Sequence, residues 1–227
     1  MRFYTNITHE LRTPLTLILG PLEDMQKETS LPAKQAQKLS VIHQSALRLL
    51  NLINQILEFR KTETQNKKLC VSKGNIAPLI YEIGLKYKEL NQKTKIDFQI
   101  QIEKEEMLLF FDKEIITIVL DNLISNAIKY TEQGRVTLSL YQTMRNEVAY
   151  TEIKVSDTGY GISAEALPHI FDRYYQESGK HQASGTGIGL ALVKNLVTLH
   201  EGEIRAESMQ NEGSTFYISL LTDNIYP

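Results

Sequence analysis

Through the first quarter of the chain apolar residues recur every three or four positions; beyond it, alternating and helical runs are mixed. At roughly 100° per residue, Phe3, Ile7, Leu11, Leu15, Ile18, Leu22 and Met25 share one stripe, so residues 1–62 read as helix throughout. A polar break at Glu28-Thr-Ser-Leu-Pro-Ala places Ser30 as a cap for a second helix, with Pro32 in its first turn. In that helix Leu39, Ile42, Ala46, Leu49, Ile53 and Ile56 alternate spacings of three and four, the heptad seam of a helical bundle. Leu17, Leu19, Leu47, Leu50 and Leu52 lie off the stripes and need a further partner. Two hairpins forming a four-helix bundle, hence a homodimer, satisfy them most simply; the alternative is a hairpin folded onto its own chain. Met1-Arg-Phe-Tyr is already in phase with the first stripe and has no capping signal, so the chain is expected to begin inside a helix, as a piece of a longer protein.

After about Lys67 the pattern changes. Strand-like runs occupy Lys68–Ser72, Ile96–Ile102, Met107–Phe111, Arg135–Thr143, Ala149–Ser156, Glu203–Ser208 and Ser214–Leu221, with helical runs at Asn75–Leu90, Lys113–Tyr130 and Gly187–His200. Consecutive strands joined by turn signals predict a mostly antiparallel sheet with helices on one face. The expected fold class is α+β: a helical hairpin over residues 1–64, forming a dimeric four-helix bundle, then an α/β sandwich over residues 65–227.

Composition narrows the function classes. The 227 residues are 42% hydrophobic and carry a net charge of −2, which excludes a strongly basic nucleic-acid binder and a polyanionic disordered tail. A single cysteine, Cys70, excludes an intrachain disulfide framework and a multi-cysteine metal site. No apolar run approaches the roughly 18 to 20 residues that cross a bilayer, and no signal peptide is visible.

Six of the twelve glycines fall between Gly159 and Gly189, several times the share that even spreading would place there. Glycine permits close backbone approach to a ligand, so this density suggests either a nucleotide-binding loop or a flexible lid. Gly185-Thr-Gly187-Ile-Gly189 opens a helix whose N–H groups and dipole suit a phosphate, although neither a dinucleotide fingerprint nor a P-loop is present. Val155-Ser-Asp157-Thr-Gly159-Tyr-Gly161 sets a carboxylate at a strand end, where it can accept a hydrogen bond from an exocyclic amine such as that of adenine; taken alone, an Asp-Gly turn explains it equally well. Asn122, Asn126, Lys129 and Tyr130 share roughly one helix face. Asparagine is poor in helix interiors, and its carboxamide oxygen can ligate Mg²⁺ without adding charge beside a triphosphate, yet in isolation a solvated polar face is the commoner explanation.

In this order the pieces resemble the ATP-binding domain of sensor histidine kinases, whose Bergerat-type fold is shared with gyrase, Hsp90 and MutL ATPases. Asn122–Tyr130 resembles the N box, Asp157–Gly161 the first glycine box, Phe171-Asp-Arg173-Tyr-Tyr the F box and Gly185–Gly189 the second glycine box, while Gly213-Ser-Thr-Phe216 is similar to the last strand. Phe3-Tyr-Thr-Asn-Ile-Thr-His9-Glu10-Leu-Arg-Thr13-Pro resembles the H box of the dimerisation and histidine phosphotransfer domain, and the run onward from His9 is most similar to hybrid two-component sensors of Bacteroidetes. The resemblance implies His9, Glu10 and Thr13 as the catalytic set. It implies nucleotide contacts from Asn122, Asn126, Lys129, Tyr130, Asp157, Gly159, Gly161, Ile162, Phe171, Arg173, Gly185, Thr186, Gly187, Gly189, Leu190 and Thr215, with Mg²⁺ on Asn126 and Asn122. With the apolar stripe near 0–60°, His9 falls at about 180°, facing water. The other histidines read as bland: His43 near the second seam, His200 as a cation at a helix C-terminus, His169 and His181 in polar connections.

The implied activity is autophosphorylation of His9 by MgATP under a lid at about residues 171–184, then transfer to an aspartate of a response-regulator receiver domain. Glu10 takes up the imidazole proton, Lys129, Arg173 and Lys180 are phosphate contacts, and Thr13 stands where relatives orient water for phosphatase activity. Hydrolases of this fold carry a glutamate where Asn122 stands, which favours transfer over hydrolysis. By the same resemblance the chain is the cytoplasmic portion of an inner-membrane sensor, reaching the membrane only through other segments, with no nucleic-acid partner. Rival readings are a nucleotide-binding dimeric scaffold without transfer, an ATP hydrolase of the same fold, and a helical half that is only a coiled-coil linker.

Overall fold

A computed structural model describes residues 15–25, 32–63, 68–91, 95–176 and 187–222, and the chain divides into two compact units, Met1–Thr64 and Gln65–Pro227. In the first unit, α1 (helical at residues 15–25) and α2 (Ala33–Glu63) bury Leu15 and Leu19 against Ala46 and Ile53, with Leu22 and Leu50 packed beside them. Pro32 stands just ahead of α2 rather than inside its first turn, and its carbonyl accepts the Ala36 N–H at 3.0 Å; Ser30 lies outside the described residues. The predicted seam of α2 splits into two heptad rows. Leu39, Ala46 and Ile53 are buried, whereas Ile42, Leu49 and Ile56 are 40–52% exposed. Two antiparallel helices enclose only one such row; the other faces outward, as do Leu17, Ile18 and Leu47.

The second unit is built on a five-stranded sheet in the order β2 (Ile96–Ile102), β4 (Gly134–Arg145), β5 (Val148–Asp157), β7 (Gly213–Leu221) and β6 (Glu203–Met209). The β2–β4 pair is parallel and the other three pairs are antiparallel, so the sheet is mostly antiparallel, as expected. A separate ribbon pairs β1 (Ser72–Asn75) with β3 (Leu108–Phe111). The register sets Phe98, Val136, Leu138, Val155, Ile153, Phe216 and Ile218 on one face, all buried, and α3 (Ala77–Leu90), α4 (Lys113–Tyr130) and α5 (Gly189–Leu199) cover it. On the opposite face, Glu152 is 2% exposed and is held by Tyr141, Arg145, Arg205 and Ser219, a carboxylate shared among four strands.

The strand expected at Lys68–Ser72 forms instead at Ser72–Asn75, because the segment before it serves a helix. Cys70 N–H donates to Asp112 Oδ2 at 2.8 Å, while Asp112 Oδ1 caps α4 by accepting from Ile115 N–H at 3.1 Å. Asp112 N–H in turn donates to Nε2 of His200, at the C-terminus of α5, at 3.0 Å. His200 is therefore not the solvated cation expected at a helix end. It is 1% exposed, and burial lowers its pKa against the opposing pull of Asp112 and Glu201. The neutral ring ties the far ends of α4 and α5 together.

This linkage has a pH signature. The folded state binds fewer protons at His200 than the unfolded chain, so the stability of the neutral ring is complete above about pH 6.5 and is lost as the pH falls through that value. Thermal unfolding followed from about pH 7.5 to 5.5 is expected to show the wild type losing more stability than His200→Gln, whose amide oxygen still accepts the Asp112 N–H; parallel losses would contradict this.

Candidate nucleotide site

Asp157 is the last residue of β5, and its register partners are Val136 and Ser214, which puts its side chain on the helix-covered face of the sheet. It is 8% exposed. Gly159 N–H (2.9 Å) and Ser214 N–H (3.3 Å) both donate to Oδ1, and no hydrogen bond among the described residues reaches Oδ2. Burial raises the Asp157 pKa and outweighs these two hydrogen bonds, which lower it.

The loop after Asp157 is stitched to α4. Tyr160 N–H donates to the Tyr130 carbonyl at 3.2 Å, and a Cβ at position 159 would stand 2.3 Å from that oxygen, so only glycine passes there. Gly161 has φ +67° and a similarly close approach to the Met209 carbonyl, and Ile162 N–H donates to Ser208 Oγ at 2.8 Å. An open polar depression lined by Glu132, Gln133, Thr158, Gly159, Tyr160 and Asn211 adjoins this loop but includes neither Asp157 nor the α4 asparagines.

Four expected residues stand on α4. Asn122 is buried; its amide donates to the Ile118 carbonyl at 2.8 Å, and its Oδ1 faces Gly189, where an added Cβ would come within 3.0 Å of it. Asn126, one turn on, is half-buried. Lys129 Nζ lies 3.2 Å from the Tyr130 hydroxyl and 4.6 Å from its ring centroid. Asp121 points elsewhere: its Oδ1 receives Tyr87 Oη at 2.9 Å and Lys86 Nζ at 3.2 Å, both from α3.

The F box and the second glycine box meet at their backbones. Tyr174 N–H donates to the Gly187 carbonyl at 2.9 Å, and a Cβ at 187 would collide with Tyr174. Phe171 packs edge-on against Phe216 at 6.4 Å, with Lys194 Nζ 5.9 Å from its ring, while Arg173 is exposed. Gly189 and Leu190 begin α5, behind Ile188, whose side chain provides no cap. His169 engages Asp172 at 2.9 Å, and His43 lies 3.8 Å from Glu23. His9, Glu10, Thr13, Lys180, His181, Gly185 and Thr186 lie outside the described residues.

One expected contact is not brought to the others. Thr215 pairs with Ser156 across the sheet, their hydroxyls 2.9 Å apart, and strand alternation puts both on the face opposite Asp157. Ser214 and Ser208 share the face of Asp157 instead, in one row across β5, β7 and β6. Sequence reasoning passed over both; strand alternation counted from Asp157 through its partner strand would have found them.

The second unit is thus a mixed sheet with helices on one face, a strand-end carboxylate and glycines where backbones approach closely. Residues 111–224 match the model of the histidine kinase-, DNA gyrase B- and HSP90-like ATPase family, and residues 1–65 match that of the His Kinase A (phospho-acceptor) domain. The chain belongs to the histidine kinase family and carries the domains of its catalytic core. It is similar to histidine kinase P4 of Formosa agariphila, 37% identical over 97% of this chain and 16% of the relative. It is also similar to hybrid signal transduction histidine kinase D of Dictyostelium discoideum, 33% identical over 99% of this chain and 15% of the relative. The chain thus spans about one sixth of these two relatives. The fold is like that of full-length ShkA, solved in complex with AMPPNP, with a TM-score of 0.77 and 24% identity over 96% of this chain and 45% of that one. No helix among the described residues is long and apolar enough to cross a membrane.

The raised pKa of Asp157 makes its ionisation costly to the folded protein at neutral pH. Asp157→Asn is therefore expected to raise the thermal midpoint at pH 7 in the absence of nucleotide; a lowered midpoint would contradict the burial argument.

Proposed function

We propose that this chain binds MgATP in the cleft bounded by α4, α5 and Asp157, phosphorylates its own His9, and passes the phosphoryl group to an aspartate of a response-regulator receiver domain. The observation that carries the reading is the buried Asp157 carboxylate, with Oδ2 left for a ligand by the two N–H groups on Oδ1. An exocyclic amine is the donor this arrangement suits, and the match of residues 1–65 to a phospho-acceptor domain supports His9 as the acceptor.

Among the described residues no group of three His, Cys, Asp or Glu side chains could hold a metal by itself, so a cation here needs the nucleotide's own oxygens and water. The hard, neutral carboxamide of Asn126 suits that role; the Asn122 amide is already turned back on its helix, with its oxygen directed at Gly189. When bound, Mg²⁺ neutralises phosphate charge. The first N–H groups of α5 and the Lys129 and Arg173 side chains supply further positive potential. A neutral imidazole nitrogen of His9 forms a bond to the γ-phosphorus as the bond to the bridging oxygen breaks and ADP leaves, while Glu10 accepts the proton from the other nitrogen.

Transfer rather than hydrolysis follows from the lack of a free base on this part of α4. Asn122 is an amide, and the Asp121 carboxylate is engaged by Tyr87 and Lys86 on the α3 side. The exposed row Ile42, Leu49 and Ile56 supports a second copy of the hairpin as partner, completing a four-helix bundle. Phosphatase activity through Thr13, and membrane attachment through segments beyond this chain with these residues in the cytoplasm, complete the proposal.

Incubation with γ-labelled ATP is expected to give acid-labile, alkali-stable label on the wild type and none on His9→Gln. Asp157→Asn should weaken ATP binding roughly tenfold to a hundredfold, the worth of one charge-assisted hydrogen bond. Steady release of free phosphate without phosphohistidine would overturn the kinase reading in favour of a hydrolase.

A further inference from the structure

Asp157, Ser214 and Ser208 stand side by side across three strands, and the hydrogen bonds of this row leave little freedom to its protons. Ser208 Oγ has three partners: the Ile162 N–H at 2.8 Å, the Gly213 carbonyl at 2.8 Å and Ser214 Oγ at 2.9 Å. An N–H can only donate and a carbonyl can only accept. The single Ser208 proton is therefore committed to Gly213, and its lone pairs receive Ile162 N–H and the hydroxyl proton of Ser214. Ser214 is buried, and its own proton is spent on Ser208. What Ser214 turns toward Asp157 and the cleft is thus lone pairs only.

We propose that Ser208, by holding the Ser214 proton away from the cleft, makes this end of the site present acceptors alone, and so acts as a positioning residue that selects 6-aminopurine over 6-oxopurine nucleotides. Asp157 Oδ2 and Ser214 Oγ together suit an amino group, or a water held between the base and the row. A 6-oxo group brought to the same place meets two acceptors and no donor, and its desolvated oxygen goes unpaired. Were the Ser214 hydroxyl free to rotate, it could turn its proton to that oxygen and relax the discrimination. The inference rests on the nucleotide reading above and adds the residue that orients its base-recognition edge.

The test measures equilibrium affinities of the full chain for ATP and for inosine triphosphate, its 6-oxo counterpart. Wild type should prefer ATP, and Ser208→Ala should reduce that preference about tenfold, the worth of roughly one hydrogen bond. Ser208→Thr, which keeps the hydroxyl, should retain the wild-type ratio. Because Ser208 acts through Ser214, adding Ser208→Ala to a Ser214→Ala background should leave the ratio unchanged. Ser208→Ala also removes the partner of Ile162 N–H, which would weaken both nucleotides alike; equal weakening with an unchanged ratio would overturn the proposal and leave only a structural role. A ratio that still shifts in the Ser214→Ala background would overturn it too. Failure of the wild type to bind either nucleotide would instead refute the underlying assignment of the cleft, and this inference with it.

Discussion

A carboxylate placed where burial disfavours its charge governs the organisation of the second unit. Asp157 sits on the apolar face of the sheet, and two backbone N–H groups partly offset the cost of ionising it there. Those donors come from different directions. Gly159 belongs to the loop that closes against the end of α4, and Ser214 to the neighbouring strand. The bonds that stabilise the charge are thus the bonds that shape the walls around it, and the close approach to the Tyr130 carbonyl is what admits only glycine at 159. A carboxylate fixed in this way through one oxygen would need little further ordering to meet the proposed ligand with the other.

The helices α4 and α5 meet at two points. At one end of the α4–α5 pair, Asn122 faces Gly189; at the other, His200 receives the Asp112 N–H. α4 also divides its polar residues by face. Asp121 turns to Tyr87 and Lys86 of α3, while Asn122 and Asn126 lie on another side of the helix. Burial, with the neighbouring Asp121 and its hydrogen bond adding to it, raises the Tyr87 phenol well above its ordinary range, so Tyr87 stays a neutral donor to the Asp121 carboxylate.

Much of this was legible in the sequence, and the exceptions have physical causes. The bounds of α4 were read to the residue because Asp112 caps it and the apolar period runs unbroken to Tyr130. β2 was equally plain from its alternation. β1 was misplaced because Cys70 is drawn to the α4 cap by a carboxylate 42 residues away, a pairing that no local pattern announces. In the hairpin, periodicity located the seam of α2 but could not say that Leu39, Ala46 and Ile53 turn inward while Ile42, Leu49 and Ile56 do not, since that depends on how many helices share the core. Thr215, expected among the nucleotide contacts, pairs with Ser156 on the other face of the sheet from Asp157, because a shift of one residue in a strand reverses the face. His200 looked like a helix-end cation and is instead a buried neutral acceptor, a distinction made by tertiary packing alone.

The most direct test of the central claim is backbone amide hydrogen exchange on the full chain with and without MgATP. Nucleotide is expected to slow exchange at Gly159, Ile162 and Ser214 and in the first turn of α5, while the outer-face residues around Glu152 stay unchanged. Saturable binding of MgATP with no added protection at those amides, or with protection confined to the opposite face of the sheet, would show that the nucleotide lies elsewhere and would contradict the account.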